Sequence, residues 1–589
     1  MTVSSDRGPL PARVVPTLAL QDVRVLSVTT GEIEPCDLVL AGGRIVAFWP
    51  VGSASGQDFE VLDGKGRLAV PGYVDPHLHI ESSFTTPEVF AEAVLVRGTT
   101  TCAADAHEVA NVLGPKGLTA FMEAGKGLAL DIWWMVPSSV PSVPGLETTG
   151  GSMEPEDVRA LLGRPDVLGL GEVMDAYGIA GGNTRMLAIL AAARDAEVML
   201  EGHAPDVTDA ALTALLWEGV DSDHSKSRTA LLLKKLRLGL FLELQAKTLS
   251  QEFVTALSRL PMDPPFALCT DDVSADVLAD EGHLDRIARL AVQAGMDPLR
   301  AVRAMTFEPA RRLRLWDRGL LAPGRRADIV LLRDLGSFVP EIVVAGGEVV
   351  AEHGRLTARG SERVHGPSDR KAHLDVLRDS LRLPRDILTA HRFRWPAPAP
   401  GPDLYLRALS VNPEDNYTRE GGVTATVESG FVRLPEGTAL LTVIDRYSGE
   451  ARQSFAPVLG LSLGRGAVAS TYSHDAHNLT VIGTDPEDMA LASRSVAEMG
   501  GGMTVVQEGR ITGQLALPLG GVVSDRSLAE VTREATEVRE AFTQLGYRHR
   551  NPFMNVSTLG LLVSPEIRLS DRGLVDVRRR RLVSALADR

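Results

Sequence analysis

The segment His77-Leu78-His79 carries two imidazoles one residue apart. On an extended strand the period of two points both to the same side, so they offer two nitrogen ligands to one cation. Further along, Glu172 lies in the apolar run VLGLGEVM, and His203, His224 and Asp271 each stand at the end of a candidate strand. Any one of these histidines taken alone reads as a core imidazole bonded to backbone. Together they bring imidazoles and carboxylates to one rim, a donor set that suits a divalent transition ion. A carboxylate such as Glu172 is costly to bury unless a cation pairs with it, and a bridging position between two ions would satisfy it. Two ions sharing that carboxylate and a solvent molecule lower the water pKa toward neutrality, making hydroxide the expected nucleophile. Asp271 and Asp272 stand side by side, and strand alternation points one inward and the other toward the rim. Asp271 is assigned the inward place, to bind metal and shuttle a proton, while Asp272 is a candidate for substrate contact or support of the ligands, the bland alternative being a cap on the next helix. Glu81, Asp105, His107 and Glu108 are further polar candidates for substrate contact, for support of the ligands or for an additional ion; the bland alternative is a solvated rim.

These side chains must be positioned by something, and the region 71 to 318 supplies it. Short apolar runs ending in polar residues alternate there with Ala- and Leu-rich helical windows, the pattern of βα units around a parallel sheet. Eight candidate strands are present: GYVDPHLHI, TTTCAADAH, LDIWWMVPSS, VLGLGEVMD, EVMLEGHAP, GVDSDHS, LFLELQ and FALCTDD. Eight is the count for a closed (β/α)8 barrel of the TIM type, whose active sites sit at the C-terminal strand ends. Before it, VRVLSV, DLVLAGGRIVAFWP and FEVLDGKGRLAVPG read as short strands with turns, and the same grammar returns in 319 to 356. Residues 1–70 plus 319–364 are therefore expected to form one composite β-sandwich domain, with 71–318 as the barrel. The Pro-rich stretch WPAPAPGPD, 395 to 403, is stiff and marks a boundary within the remainder. Residues 365–589 are expected to hold a mixed α/β domain, with β runs LLTVIDR, AVASTYS and LTVIGT and a helical window EDMALASRSVAEMG.

With 589 residues, a formal net charge of −15 and a pI near 5.4, the chain opposes a phosphate backbone or an anionic membrane as partner. No apolar stretch reaches the roughly eighteen residues of a spanning helix, and the N-terminus lacks a leader pattern, so a cytoplasmic location is expected. Cys36, Cys102 and Cys269 are too few and scattered for a disulfide framework or a Cys-x-x-Cys metal site. The basic run VRRRRL, 577 to 582, reads as a solvated face in a helical window rather than a nucleic-acid patch. The glycines at 500 to 502 lack the spacing of a dinucleotide fingerprint. SHDAHN, 473 to 478, gathers His474, Asp475 and His477; alone it could be a second metal site, and it is expected instead to order a loop or close over the barrel mouth.

The stretches PGYVDPHLHIESS, GTTTCAADAHEVANVLG, GLGEVMD, EGHAP and CTDDVSADVLADEGHLDR resemble the amidohydrolase superfamily, and most closely its adenine deaminase family. RGAVASTYSHDAHNLTVIGT, LPLGGVVSDR and NPFM are similar to that family's C-terminal domain. The resemblance implies a binuclear centre with His77, His79, Glu172, His203, His224 and Asp271 as ligands. It implies two divalent ions, manganese or iron, with Glu172 bridging where relatives use a carboxylated lysine. Asp271, Glu172 and His224 form the implied catalytic set, and the implied reaction is hydrolytic deamination of adenine to hypoxanthine and ammonia, a purine-salvage step, in a homodimer. Two departures bear on the substrate: Ser225 follows His224 where the family carries Glu, and Gln245, Ala246 and Lys247 replace an Arg-Glu-Gly pattern. Losing groups that bond a purine edge costs discrimination unless other contacts replace them. Another amino-purine or amino-heterocycle, a cyclic amide, or an inactive metal-binding scaffold are the alternatives these changes raise.

Overall fold

The computed structural model describes residues 14–383, 387–414 and 416–587; the sequence read for a leader, residues 1 to 13, lies outside them. Eight parallel strands run through the middle of the chain: Tyr73–Leu78, Thr99–Asp105, Asp131–Val136, Val167–Val173, Met199–Gly202, Ser222–Asp223, Phe241–Leu244 and Phe266–Leu268. The first five pair in order as one parallel sheet and the last three as another. Backbone bonds join the arcs at both seams: Asp221 N–H donates to the Leu200 carbonyl at 3.3 Å, and Asp271 N–H to the His77 carbonyl at 3.2 Å. All eight expected strands are present, and the ring is the (β/α)8 barrel.

The strands are largely buried because helices cover their outer faces while their inner faces fill the barrel. Every residue of Tyr73–Leu78 and Thr99–Asp105 is buried. The covering helices begin where short polar side chains accept their free N–H groups. Asn183 caps Thr184–Asp195, Thr208 caps Asp209–Trp217, and Ser250 caps Gln251–Ser258.

The two β segments flanking the barrel share one sheet, as their common grammar implies. Its order is Arg355–Leu356, Glu348–Glu352, Pro340–Ala345, Ile329–Leu332, Glu60–Pro71, Leu18–Leu26, Ile33–Ala41, Arg44–Trp49. Inward residues from both segments, among them Leu20, Leu38, Ile329 and Val344, form a single apolar cluster, while Ala19, Val39 and Trp49 pack on the opposite face. The long strand Glu60–Pro71 pairs with both halves and leads through Gly72 directly into the first barrel strand. A Cβ at Gly72 would sit 2.2 Å from Thr100 Oγ1, so the close passage requires glycine.

A nine-stranded mixed sheet, from Phe431–Arg433 at one edge to Arg510–Ala516 at the other, forms the centre of the C-terminal part. Helices Pro486–Glu498, Leu528–Gln544 and Pro552–Thr558 accompany it, the first where the helical window EDMALASRSVAEMG lies. Phe84 of the barrel meets Tyr472 and Phe553 of the C-terminal part with ring centroids 5.0 and 5.4 Å apart, so one core spans the two. The helical reading of VRRRRL is overturned. Val577 to Arg580 form a turn, with Asp576 accepting from Arg579 N–H at 3.0 Å, that joins the antiparallel strands Gly573–Asp576 and Arg581–Val583. Among the described residues no helix is long and apolar enough to cross a membrane.

One buried ion pair sets the rim of the barrel. Lys235 Nζ lies 2.8 Å from Asp223 Oδ2, with both side chains out of solvent, and donates also to the Ala204 carbonyl at 2.8 Å. Asp223 Oδ1 in turn accepts from Ala204 N–H at 2.8 Å. Burial would push the Asp223 carboxyl up, but the Lys235 ammonium outweighs it and holds its pKa below the ordinary range. Removing one partner of such a pair strands the other charge. Lys235→Met is therefore expected to cost about 3–5 kcal/mol of stability, read as a lower urea midpoint.

Candidate metal centre

The residues singled out in the sequence come from five strand ends and converge at the C-terminal mouth of the barrel. His77 is the penultimate residue of the first strand, and His79 follows it with its ring centroid 4.9 Å away. Glu172 is the penultimate residue of the fourth strand, His203 follows the fifth and His224 the sixth. Asp271 lies three residues beyond the eighth strand, which ends at Leu268. Strand alternation therefore does not orient it. Its left-handed backbone, φ 58°, does, together with bonds on both sides of the residue: its N–H to the His77 carbonyl and its carbonyl from His79 N–H.

Glu172 is the hub. Its two oxygens face five imidazoles, at 2.7 Å from His224 Nε2, 3.0 Å from His203 Nδ1, 3.4 Å from His107 Nδ1, 3.7 Å from His77 Nε2 and 3.9 Å from His79 Nε2. Asp271 Oδ1 lies 3.4 Å from His79 Nε2 and 3.8 Å from His77 Nε2. Two overlapping donor groups result. One is His77, Glu172, His224 and Asp271, the other His79, His107 and Glu172, with the ligand atoms of each within 4.8 Å of one another. His203 lies outside both groups but against Glu172 and, at 3.0 Å, His224 Nε2. The far nitrogens of the first pair are fixed: His77 Nδ1 meets Glu201 Oε2 at 3.1 Å, and His79 Nδ1 meets the Asp105 carbonyl at 2.8 Å. Such outer partners hold an imidazole with its other nitrogen forward. His77 Nε2 is buried and has no hydrogen-bond partner among the described residues, as expected of a ligand atom aimed at an ion.

The protonation states follow from the opposite charges gathered there. Burial alone would raise Glu172, yet the charges of His79 and His203 and hydrogen bonds from His203 and His224 hold its carboxyl well below the ordinary range. Burial also opposes ionisation of Asp271, and the Lys247 ammonium, Nζ to Oδ2 3.3 Å, leads the groups that outweigh it. Burial keeps His224 below the usual imidazole pKa and His107 well below it, with the nearby His77 and His79 charges adding to the effect. Against burial, the neighbouring carboxylates push the other three rings up, His77 to about 10 beside Glu201, and His79 and His203 beside Glu172; a divalent ion takes neutral imidazole, so its binding would displace those protons.

The candidate supporting residues are buried rather than solvated: Glu81, Asp105 and Glu108 are fully covered and His107 is 4% exposed. Burial pushes Glu81 up to about 6 and Asp105 well above the carboxylate range. Asp105 is packed so closely behind Gly171 that a Cβ there would lie 2.0 Å from its Oδ2. Asp272 does not cap the following helix, Ala275–Asp280, which starts after Ser274; it accepts from Ser82 Oγ at 2.6 Å instead.

Several residues at the site were not singled out for it. Glu201 sits in the apolar run MLEG, and the burial cost that flagged Glu172 applies equally to it. Lys247 restores a cation beside Asp271, so the missing Arg-Glu pattern does not leave the rim without one; no local signal in the sequence announces it. Ser225 is buried and donates to Asp223 at 2.8 Å, and Gln245 Nε2 donates to the His224 carbonyl at 2.9 Å, so both support the strand ends. SHDAHN comes to the barrel mouth, where His474 Nε2 lies 3.7 Å from Glu108 Oε1 and Asp475 Oδ1 3.9 Å from His107 Nε2.

Residues 68–350 match the amidohydrolase family model and residues 415–581 the model of the adenine deaminase C-terminal domain. Adenine deaminase of Moorella thermoacetica is 36% identical over 98% of this chain and 96% of that protein. Adenine deaminase 2 of Rhizobium johnstonii is 38% identical over 94% of this chain and 91% of that protein. Among solved structures, a β-aspartyl dipeptidase from Fervidobacterium islandicum covers 59% of this chain and is itself covered to 99%, with a TM-score of 0.44 and 16% identity.

The contact between residue 171 and Asp105 is directly testable. Gly171→Ala forces Asp105 to move beside Glu172 and is expected to destabilise by about 1–3 kcal/mol, the usual cost of overpacking. A lower thermal midpoint together with reduced manganese retention after gel filtration is the expected result.

Proposed function

The chain belongs to the adenine deaminase family of amidohydrolases, and on that premise we propose that it hydrolyses adenine to hypoxanthine and ammonia at the barrel mouth. The observation that carries the reading is the Glu172 carboxylate enclosed by five imidazoles with Asp271 alongside. That donor set, with the unpartnered His77 Nε2 aimed into it, fits two divalent ions, manganese or iron, held by His77, His79, Glu172, His203, His224 and Asp271. When bound, such a pair supplies hydroxide from water near neutral pH and charge stabilisation at the reacting carbon.

The chain's own residues do the rest. Asp271, ionised and paired with Lys247, takes one proton of the attacking water and returns it to the departing amino group, which leaves as neutral ammonia as the C6–N bond breaks, while the water's other proton ends on ring N1 of the hypoxanthine product. Lys247 holds the second oxygen of that carboxylate in place while the first faces the imidazoles. His224, its ring stacked on His77 at 3.8 Å and its position fixed by Gln245 through the backbone, keeps Glu172 oriented. The burial of Glu81, Asp105 and Glu108 excludes bulk water behind the ligands. Three buried free cysteines accord with a cytoplasmic enzyme, and a homodimer completes the proposal.

The test is ammonia release from adenine and from a panel of amino-purines and amino-heterocycles, by protein loaded with manganese or iron and with its metal counted. Turnover of adenine is expected, falling about 10²–10⁴-fold in Asp271→Asn, the range for loss of a proton-transfer group. Metal-loaded protein inert to adenine but active on another amine would overturn the substrate. In a separate measurement, Glu172→Gln, which keeps the shape and removes the charge, is expected to lose the ions of this centre.

A further inference from the structure

Beside the centre just described lies a second group of donors that it does not use. His107, at the N-terminus of the helix His107–Ala124, presents Nδ1 to Glu172 and Nε2 toward the C-terminal part of the chain. There Asp475 Oδ1 lies 3.9 Å from His107 Nε2 and 3.6 Å from His474 Nδ1. All three side chains are at least nine-tenths buried. Neither ring nitrogen of His107 nor Asp475 Oδ2 has a hydrogen-bond partner among the described residues.

These separations are too long for hydrogen bonds, which end at about 3.2 Å. They are the separations of neighbouring ligands around a cation, given metal–ligand distances of about 2.0–2.2 Å. The ligand atoms of the three residues lie within 4.8 Å of one another.

The outer contacts of His474 give it the right tautomer. Its Nε2 lies 3.0 Å from Tyr472 Oη, Tyr472 Oη 2.9 Å from Ser82 Oγ, and Ser82 Oγ 2.6 Å from Asp272 Oδ1. Asp272 can only accept, so the chain runs one way: Nε2–H to Tyr472, Tyr472 O–H to Ser82, Ser82 O–H to the carboxylate. That leaves the His474 Nδ1 lone pair facing Asp475. Neither nitrogen of His107 is committed to a hydrogen bond, so the neutral ring is free to present its Nε2 lone pair to the same point.

We propose that His107, His474 and Asp475 form a separate metal site for a first-row divalent cation at the seam between barrel mouth and C-terminal sheet. Two imidazoles and one carboxylate leave room for solvent in the remaining positions, as in sites with three protein ligands. The ion joins a barrel helix to the loop after strand Gly466–Ser470, so it fastens the C-terminal part over the mouth. The site requires no deamination and does not rest on the substrate reading.

The full-length protein, equilibrated with manganese(II) and freed of loosely held ions by gel filtration, is counted for manganese per chain. Asp475→Asn, nearly isosteric, and His474→Ala are each expected to lose about one manganese relative to wild type, whereas Glu172→Gln retains the seam ion. Anomalous diffraction at the manganese edge is expected to place a peak next to His474 Nδ1 in wild type and in Glu172→Gln. Unchanged manganese content in a folded Asp475→Asn variant, or a wild-type map without that peak, would overturn the proposal.

Discussion

A carboxylate that cannot reach water must be given cations or protons, and the barrel is organised around how Glu172 receives the former. Its oxygens are buried in a medium where an unpaired charge is very costly, and five imidazoles close around them. No short segment of chain can deliver five rings to one carboxylate. Parallel strands can, since each ends at the same level and each contributes one or two side chains. The demands of one anion thus account for why the histidines are spread over residues 77 to 224 rather than clustered in a motif.

Supporting contacts keep the rings from collapsing onto one another. Glu201 and the Asp105 carbonyl hold the far sides of His77 and His79, and the Asp223–Lys235 pair fixes the strand end one residue before His224. Asp271 is locked to the first strand through the backbone on both sides of itself, so the group assigned to proton transfer sits on the scaffold rather than on a free loop. Rigid placement of this kind is what turns a set of ligands into a site with fixed geometry.

Much of this was legible in the sequence, for physical reasons that differ from residue to residue. The eight strands were visible because a fully covered parallel strand is apolar on both faces and ends abruptly in polar residues. Glu172 was visible because a lone carboxylate in such a run is expensive. Asp271 faces the imidazoles, but strand alternation is not the reason, since the strand ends before it and a left-handed backbone turns its side chain. Lys247 is announced by no local pattern because its importance comes from a contact across 24 residues, whereas SHDAHN gathers His474 and Asp475 in the sequence and only their barrel partner His107 lies beyond local reach. VRRRRL misled because a run of arginines carries no period, and the aspartate that begins its turn lies just upstream.

The strand Glu60–Pro71 has a consequence for how the chain reaches this state. It forms the middle of the composite sheet, and the residues that cover its second edge, Ile329–Leu332, pair with it across a gap in which the whole barrel is made: Leu68 opposes Leu332. As the chain leaves the ribosome, that edge stays open until the last barrel helices have been synthesised. Contacts so distant in sequence form slowly, and an open apolar edge is a template for association with other chains. Closing the barrel and sealing the sheet are therefore coupled events, and until both are done an apolar strand edge stays open to other chains.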